Sequence, residues 1–275
     1  MEFVHSQHNL REQHRECVAT IGNFDGIHLG HQAIIAQLKE AAISHALPAV
    51  VVTFEPLPQE YFMSEKAPAR VLRLREKIES LREQDIDRMV CLRFDTSLAN
   101  LSPEEFVKKI LVEGLAVRYL VVGDDFRFGK DRKGDFSTLQ TLGKQYGFNV
   151  VYTTTCEIEG RRVSSTWLRD TLAAGDLQLA HQLLGRHYSI SGRIVHGDKR
   201  GHKLGFPTAN VDMHRLISPV AGIFATKVHG LDDNALDAVT SIGTRPMFGG
   251  KVMILEAHLL DFDDDVYGKY VRVEL

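Results

Sequence analysis

The strongest constraint on the fold is a change of pattern near Gly185. Before that glycine, short β-branched apolar runs alternate with stretches whose apolar residues recur at helical spacing. After it, strand-like runs follow one another with little helix between them, separated by Gly, Pro and Asp or Asn turns. The first pattern predicts a parallel sheet covered by helices, and the second predicts a small all-β barrel.

The first part is predicted to be a Rossmann-like α/β domain over residues 1–184, although no GxGxxG string is present. Its predicted strands lie at residues 17–21, 49–54, 89–94, 119–122 and 150–153. Its predicted helices lie at residues 30–42, 75–84, 166–174 and 177–184. A capping box at residues 102–105, with proline at the first helical position, predicts one more helix.

The second part, residues 185–275, is predicted to form the barrel. Its predicted strands lie at residues 188–195, 222–228, 238–242, 252–260 and 270–275.

Composition excludes several classes of protein. Hydrophobic residues make up 44% and charged residues 25%, as in folded globular proteins. The formal net charge of −3 gives no basic excess for nucleic acid or a membrane surface. Cys17, Cys91 and Cys156 form no CxxC pair, so neither a disulfide framework nor a zinc cage is indicated. The polar first residues show no signal peptide, and no apolar run approaches about 20 residues. We therefore expect a cytoplasmic protein.

The first candidate site is the loop GNFDGIHLGH, from Gly22 to His31, which joins the first predicted strand to the next helix. Ligands of α/β sheets bind beyond the carboxyl ends of the strands. Gly22, Gly26 and Gly30 let the backbone turn and approach a ligand closely. His28 and His31 share a face where the helix begins, and imidazoles at a helix N-terminus suit a phosphate. The alternatives are a zinc pair or a structural cap, although helical zinc pairs more often use i, i+4 spacing.

Two later segments have the residue types of a nucleotide site. VGDDFRFGK follows the predicted strand at 119–122 and contains Asp125. RRVSSTWLR leads into the predicted helix at 166–174. Hydroxyls at a helix start cap the helix and can meet phosphate oxygens, and Arg169 lies one turn in, where its guanidinium could hold a phosphate. Plain capping is the better explanation of the serines taken alone.

Together these strings resemble the prokaryotic FAD synthetases, the bifunctional riboflavin kinase/FMN adenylyltransferases. GNFDGIHLGH is similar to the HxGH signature of nucleotidyltransferases, and the later segments are similar to the family's GxDFRFG and (I/V)SSTxxR motifs. The resemblance implies that His28 and His31 are catalytic and that ATP binds this domain. The residues that it assigns to ATP are Gly22, Asn23, Phe24, Gly26, His28, His31, Asp125, Arg161, Ser164, Ser165, Thr166 and Arg169.

The family's FEPHP segment is present as FEPLP, with Leu57 in place of histidine. If that histidine contacts the flavin side of the pocket, FMN affinity will differ here. Phe54, Phe62 and Phe128 are candidate apolar walls for the isoalloxazine ring. Each could equally be a core residue.

GHKLGFPTAN, at residues 201–210, resembles the flavokinase motif GxxLGFPTAN. The resemblance implies phosphate contacts by a glycine-rich backbone and a Mg²⁺ site at Thr208 and Asn210, which offer the hard oxygen ligands that Mg²⁺ requires. His202 stands where many relatives carry arginine. The residues assigned to ATP in this domain are Gly201, Lys203, Gly205, Phe206, Pro207 and Thr208.

ILEAHLLD, at residues 254–261, resembles the family's LEVHLLDF strand. The period of two puts Glu256 and His258 on one face. A carboxylate in so apolar a run is energetically costly unless it is paired or has a function. If Glu256 lies near Thr208, it could accept the proton of a riboflavin hydroxyl. A structural salt bridge is the alternative for Glu256. With Asn210, it is the catalytic candidate of this domain. SIGTRP, at residues 241–246, is predicted to be a turn that borders the site.

The resemblance covers the chain from about Ile21 to Leu275 and implies two reactions, the phosphorylation of riboflavin to FMN and the adenylylation of FMN to FAD. The expected cofactor is Mg²⁺, and the expected partners are riboflavin, FMN and ATP, with a homo-oligomer left open. Relatives usually continue with a C-terminal helix, so we expect the barrel domain to lack it and its kinase activity to be weakened. The alternatives are an FMN adenylyltransferase with an impaired kinase module, a catalytically silent flavin-binding protein, and an adenylyltransferase for another substrate.

Overall fold

The structure is a computed structural model that describes residues 1–196, 208–215, 217–247, 250–262 and 264–275. The chain forms two compact units. Unit 1 consists of Met1–Pro68 and Leu74–Val163, and unit 2 consists of Ala69–Arg73 and Ser164–Leu275. None of the helices in the described ranges is both long enough and apolar enough to cross a membrane.

Unit 1 is built on a six-stranded sheet in the order β1-β4-β3-β2-β5-β6, and every neighbouring pair is parallel. The strands are β1 (Glu2–His5), β2 (Cys17–Ile21), β3 (Ala49–Glu55), β4 (Arg88–Arg93), β5 (Val117–Gly123) and β6 (Asn149–Thr153), with a small antiparallel hairpin of β7 (Glu157–Ile158) and β8 (Arg161–Arg162). The α-helices are α1 (Leu29–His45), α2 (Pro58–Met63), α3 (Leu74–Glu83), α4 (Thr96–Ala99), α5 (Pro103–Phe106) and α6 (Phe136–Tyr146). The predicted α/β architecture is confirmed, as are all five predicted strands of this part.

The centre of the sheet explains why those strands were predictable. All five residues of β2 and the first five of β3 are buried, as expected for parallel strands covered on both faces. The chain leaves β2 toward β3 on one side, whereas β5, on the other side of β2, is followed by β6 farther out, so the connections diverge between β2 and β5. The carboxyl end of β2 is therefore the switch point at which such sheets bind ligands.

The predicted capping box is also confirmed. The Ser102 hydroxyl accepts a hydrogen bond from the Glu105 backbone N–H at 3.2 Å, and the Glu105 carboxylate accepts one from the Ser102 N–H at 2.9 Å. The helix that starts there continues as a π-helix over Val107–Gly114.

In its described residues, unit 2 contains two helices, α7 (Ser165–Ala173) and α8 (Leu177–Leu184), and a closed barrel of six strands. The strands are β9 (Ser189–Val195), β10 (Ala209–Asp212), β11 (Gly222–His229), β12 (Leu236–Met247), β13 (Gly250–Leu259) and β14 (Tyr270–Glu274). Every neighbouring pair in the order β10-β13-β12-β11-β14-β9 is antiparallel. The barrel prediction is confirmed, but residues 241–246 are not a turn, because they lie inside β12.

Unit 2 also includes a segment from far earlier in the chain, Ala69–Arg73. The Arg215 guanidinium donates to the carbonyls of Arg70 and Val71, and the Arg73 guanidinium donates to the Ser191 carbonyl at 2.6 Å. The compact unit that contains the barrel therefore also includes α7 and α8, and apart from that earlier segment it begins after Val163. The domain boundary at 184/185 stays a prediction.

Candidate functional site

The loop between β2 and α1 carries the paired histidines at the carboxyl edge of the sheet in unit 1. His28 is the N-cap of α1, with φ −69° and ψ 171°. Its Nδ1 accepts a hydrogen bond from the backbone N–H of His31 at 3.4 Å. The two imidazole rings stack with centroids 3.8 Å apart and planes 19° from parallel. The predicted shared face is therefore confirmed, and Nδ1 of His28 caps the helix.

The backbone of this loop is held in conformations that side chains seldom adopt. Gly26 has a φ of 102°, which requires glycine. Phe24 and Ile27 have φ values of 47° and 46° although both carry side chains, and both are buried. Backbone strain of this kind concentrates at functional sites, where the surrounding structure must sustain it. Phe24 also packs its ring 5.0 Å from the ring of His31.

Gly30 has a different reason to be glycine. A Cβ at this position would lie 3.2 Å from the His28 ring and 3.3 Å from the carbonyl oxygen of Val163. The glycine thus lets the start of α1 approach both groups closely, at a position where φ itself is unremarkable.

A second polar group of unit 1 joins the loop after β5 to the hairpin strand β8. The Arg162 guanidinium forms ion pairs with Asp124 and Asp125, and each N–O distance is 2.7 Å. Burial opposes ionisation of Asp124, yet the Thr155 hydroxyl and the Arg162 guanidinium hold the pKa of that carboxyl below its usual value. Sequence reasoning selected Asp125 and Arg161 but missed Arg162, because nothing in a pair of arginines tells which one turns toward the aspartates.

The predicted hydroxyl segment lies at the start of α7 in unit 2. Ser164 is the N-cap, and its hydroxyl accepts a hydrogen bond from the Trp167 backbone N–H at 3.2 Å. Arg169 Nη2 lies 3.5 Å from the Thr166 hydroxyl oxygen, one turn earlier on the helix. The capping role is thus confirmed. Contact of Ser164, Ser165, Thr166 or Arg169 with ATP stays a prediction.

The three phenylalanines suggested as flavin walls line one cavity of unit 1, of about 670 Å³. Phe54 lies near the end of β3, and Phe128 lies in the loop that follows β5. Phe62, on α2, is 67% exposed and lies at the cavity's open surface, whereas Phe128 is almost fully buried. Because β3 and β5 flank β2 in a parallel sheet, the cavity opens at the same edge as the paired histidines.

The centre of the aromatic wall is a residue that sequence reasoning did not select, Phe94. Its ring packs edge-on against the rings of Phe54, Tyr61 and Phe62, with centroids 5.4 to 5.7 Å apart. Phe94 directly follows β4, so its position could have been suspected from its place at the end of a predicted strand. Leu57, the departure from the family motif, is instead a buried N-cap of α2 and does not line the cavity.

One side of the cavity is cationic. Three basic residues, Arg127, Lys130 and Arg132, and one acidic residue, Asp131, line it beside the phenylalanine rings. The loop that carries them is strained, since Asp131 and Arg132 both have a φ of 57°. An aromatic cavity with a basic side matches a flat ring that carries an anionic tail.

The barrel brings together the candidate residues of the second site that lie in the described ranges. Asn210 on β10 is the direct antiparallel partner of Glu256 on β13, and Glu256 is in turn the partner of Ser241 on β12. The neighbours of Glu256 in the strand, Leu255 and Ala257, are buried, while Glu256 is half-buried. Alternation therefore places Asn210 and Glu256 side by side on the outer face of the barrel.

His258 and Thr208 extend this group. His258 is half-buried like Glu256 and shares its face, as predicted. Thr208 directly precedes β10, two residues from Asn210. The remaining predicted residues of this site lie outside the residues that the structure describes: Gly201, His202, Lys203, Gly205, Phe206 and Pro207.

A group of side chains on the barrel has the chemistry to hold a metal ion. Among the described residues no cluster of three or more His, Cys, Asp or Glu side chains has metal-binding geometry. The set on the barrel is of another kind, a hydroxyl, an amide oxygen and a neighbouring carboxylate from Thr208, Asn210 and Glu256. Hard oxygen donors of this kind suit Mg²⁺ rather than zinc.

Two family models match the chain in succession. The model described as FAD synthetase matches residues 10–167, and the model described as riboflavin kinase matches residues 184–275.

Curated relatives match the chain over its whole length. The bifunctional riboflavin kinase/FMN adenylyltransferase of Escherichia coli (strain K12) is 48% identical, covering 100% of this chain and 88% of that protein. The protein of the same description from Pseudomonas fluorescens is 48% identical, with 99% and 88% covered, and that from Haemophilus influenzae is 42% identical, with 100% and 89% covered.

A solved structure also matches. It is described as a macrolide-efflux protein from Streptococcus pneumoniae and has a TM-score of 0.85 and 27% sequence identity, covering 100% of this chain and 90% of that chain. Both units of the fold therefore occur together in a solved structure.

Proposed function

The chain belongs to the bifunctional riboflavin kinase/FMN adenylyltransferase family, and on that premise we propose which residues carry each of its two reactions. In the first, the γ-phosphoryl group of ATP is transferred to riboflavin, giving FMN and ADP. In the second, FMN takes the AMP moiety of another ATP, giving FAD and pyrophosphate. Because both reactions consume ATP, we expect the enzyme to work in the cytoplasm.

The adenylyl transfer is assigned to the edge of the sheet in unit 1. A phosphate oxygen of FMN attacks the α-phosphorus of ATP, the bond to the β-phosphate oxygen breaks, and pyrophosphate leaves. No protein nucleophile is needed, so the protein aligns the reactants and stabilises the charge that develops. His28 Nε2, the His31 ring and the N-terminus of α1 supply that stabilisation. The observation that carries this assignment is the stacked His28–His31 pair at the switch point of the sheet.

The flavin of the second reaction is assigned to the aromatic cavity. Phe54, Phe94 and Phe128 contact the isoalloxazine ring, and the basic side of the cavity attracts the phosphate of FMN. This places the flavin at the same edge of the sheet as the histidines. Asp125 is the proposed contact for the ATP sugar or base, and a nucleotide there competes with Arg162 for the carboxylate.

The phosphorylation of riboflavin is assigned to the outer face of the barrel. Glu256 accepts the proton of the riboflavin hydroxyl as its oxygen attacks the γ-phosphorus and ADP leaves. The Thr208 hydroxyl and the Asn210 amide oxygen are the proposed protein ligands of Mg²⁺. When bound there, the ion neutralises charge on the transferring phosphoryl group. The register that pairs Asn210 with Glu256 supports this assignment, because it puts the proposed base beside the proposed ligand.

The direct test is incubation of the purified protein with riboflavin, ATP and Mg²⁺, followed by chromatographic separation of riboflavin, FMN and FAD. Accumulation of FMN followed by FAD is expected. A second incubation that starts from FMN measures adenylylation alone. A protein that binds flavin but converts neither substrate would be a flavin-binding protein without these activities.

A further inference from the structure

Lys77 is a charged side chain buried in unit 1 beside the loop that carries the paired histidines. Only 1% of it is exposed, and it belongs to α3, whose other basic side chains are less buried. Its Nζ donates a hydrogen bond to the Asn23 carbonyl oxygen at 2.6 Å and another to the Thr53 hydroxyl at 3.2 Å. Lysine is seldom fully buried, because removing an ammonium group from water is costly unless its N–H groups are bonded. A side chain retained at this cost needs an explanation.

The Asn23 carbonyl is held from two elements at once. The Thr53 hydroxyl, on β3, also donates to it at 3.2 Å. Lys77 on α3, Thr53 on β3 and Asn23 in the loop after β2 thus form a closed triangle of hydrogen bonds. Donation from a charged group makes the lysine side of the triangle the stronger one.

The peptide held in this way is the one that enters the strained part of the loop. The Asn23 carbonyl and the Phe24 nitrogen belong to the same planar peptide group, so fixing the carbonyl fixes the direction in which Phe24 continues. Phe24 has a φ of 47° and a ring that is 1% exposed. That ring packs against His31, and His31 stacks on His28. A continuous series of contacts therefore runs from the Lys77 ammonium to both imidazoles.

We propose that Lys77 is a positioning residue for adenylyl transfer, which holds the peptide between Asn23 and Phe24 so that His28 and His31 meet the phosphates of ATP. This inference rests on the proposed function of unit 1. Lys77 itself does not touch the reacting atoms. Its effect passes through the loop.

The first test replaces Lys77 by methionine, which keeps an unbranched stem and removes the donors. The rate of FAD formation from FMN and ATP at saturation (kcat) is expected to fall ~10- to 100-fold, since small misplacements of reacting groups have effects of this size. The KM for FMN is expected to change less than about twofold, because the flavin cavity is lined by other residues. Phosphorylation of riboflavin should be unchanged. Lys39→Met, at a half-exposed lysine of α1 that pairs with Asp85, is the matched control and should leave both reactions unchanged.

A second pair of variants tests the same triangle without removing the charge. Thr53→Val removes the hydroxyl with little change of shape, and Thr53→Ser keeps it. The valine variant should lower kcat for FAD formation several-fold, while the serine variant retains it. This pair carries the test if Lys77→Met fails to fold.

The spectroscopic readout is the NMR signal of the two imidazole rings, which a role in stability alone would not move. In Lys77→Met and Thr53→Val the ring signals of His28 and His31 should shift, while those of the exposed His8 and His45 do not. Folded Lys77→Met with unchanged kcat and unshifted His28 and His31 signals would overturn the proposal. An unmodified protein that makes no FAD from FMN would instead overturn the proposed function.

Discussion

The observed capping role of His28 and its proposed catalytic role involve different ring nitrogens, and substitution can separate them. Nδ1 caps α1, while Nε2 is the nitrogen proposed to meet phosphate. Asparagine is a good N-cap and lacks an equivalent of Nε2. We expect both His28→Asn and His28→Ala to lower FAD formation by ~10²–10³, the cost of one transition-state donor, with FMN formation from riboflavin retained.

Chromatography of the two products checks the His28 prediction. Only His28→Ala should also lower the thermal midpoint of unit 1, because it loses the cap as well. His8→Ala, at an exposed position, is the control. FAD production at the normal rate by a folded His28→Asn protein would contradict the assignment.

Glu256 is the residue of the barrel with a proposed catalytic role. Glu256→Gln keeps the shape and removes the base, so FMN formation is expected to stop while added FMN is still converted to FAD. Glu159→Gln, on an exposed turn, is the control. If the Gln variant phosphorylates riboflavin at nearly the normal rate, Glu256 has a structural role on the barrel surface.

The role of a residue could be predicted where its type and sequence motif indicate a chemical function, but not where the role depends on the three-dimensional conformation. The His28–His31 pair, the Ser164 cap and Glu256 were all selected from short strings. The positive φ values of Phe24 and Ile27 could not be predicted from the sequence, because neither residue is a glycine or an asparagine. Both side chains are buried, so these φ values depend on the tertiary packing of the loop.

At the scale of elements, prediction succeeded for continuous apolar runs and failed for two short strands with few buried residues. The central strands β2 and β3 are continuous apolar runs and were identified within one or two residues of their ends. The edge strand β1 was missed, since only Val4 in it is buried and Glu2, Phe3 and His5 are exposed. The four-residue β10 was missed as well, because two of its residues face the outside of the barrel.

The aromatic cavity is assembled by the ends of several elements, and Phe94 is its centre. We expect Phe94→Ala to raise the Kd for FMN ~10-fold or more, because the ring that supports Phe54, Tyr61 and Phe62 is lost together with its own contact area. Quenching of flavin fluorescence on binding, measured with FMN, checks this. Phe3→Ala, on the edge strand β1, should leave the Kd unchanged. Equal FMN affinity in Phe94→Ala would exclude the cavity as the flavin site.

The N-cap of α6 makes a prediction about pH. Hydrogen bonds from the Thr138 backbone N–H and the Ser137 and Thr138 hydroxyls lower the pKa of Asp135 to about 2. A carboxyl whose pKa is lowered by folding stabilises the protein above its unfolded pKa of about 4, and this contribution is lost as the pH falls toward 2. Asp135→Ala should therefore be less stable than the parent protein at pH 7, and the difference should narrow between about pH 4 and pH 2.

Denaturant midpoints measured across this pH range test the cap. Asp135→Asn keeps an uncharged cap, so its free energy of unfolding at pH 7 should lie between those of Asp135→Ala and the parent protein. Because asparagine does not titrate, the difference in stability between Asp135→Asn and Asp135→Ala should not change with pH. A difference between Asp135→Ala and the parent that stays constant down to about pH 2 would show that the carboxylate charge contributes nothing to the cap.

At the scale of the molecule, the sequence pattern predicted the fold class of each unit, but it did not predict the order of the strands in the sheet or the barrel. Alternating strands and helices indicate a parallel sheet, and successive strands indicate a barrel, but neither pattern gives the order β1-β4-β3-β2-β5-β6 or the closing pair β9–β10. The segment Ala69–Arg73 is the clearest case. No local signal indicates that residues between two helices of the first unit belong with the barrel.

The segment Ala69–Arg73 is held in unit 2 by side chains that donate hydrogen bonds to its backbone carbonyls. Arg215 donates to the carbonyls of Arg70 and Val71, and the Tyr188 hydroxyl donates to Val71 at 3.3 Å. Hydrogen bonds from a charged donor contribute about 1.5–3 kcal/mol each, and carbonyls left without them lose more when buried. The free energy of unfolding of unit 2 should therefore depend on a residue outside every strand and helix.

Arg215→Met is expected to lower the free energy of unfolding of unit 2 by ~2–3 kcal/mol. The measurement is simple because the chain has a single tryptophan, Trp167, which is buried on α7 within unit 2. Its fluorescence during urea unfolding reports that unit, while FAD formation from FMN, measured below the transition, reports the proposed site of unit 1. Arg118→Met, at an exposed ion pair of unit 1, should not move the tryptophan transition. If Arg215→Met leaves the tryptophan transition unchanged, the hydrogen bonds from Arg215 contribute no net stability to unit 2. The segment would then be held to the barrel by apolar packing.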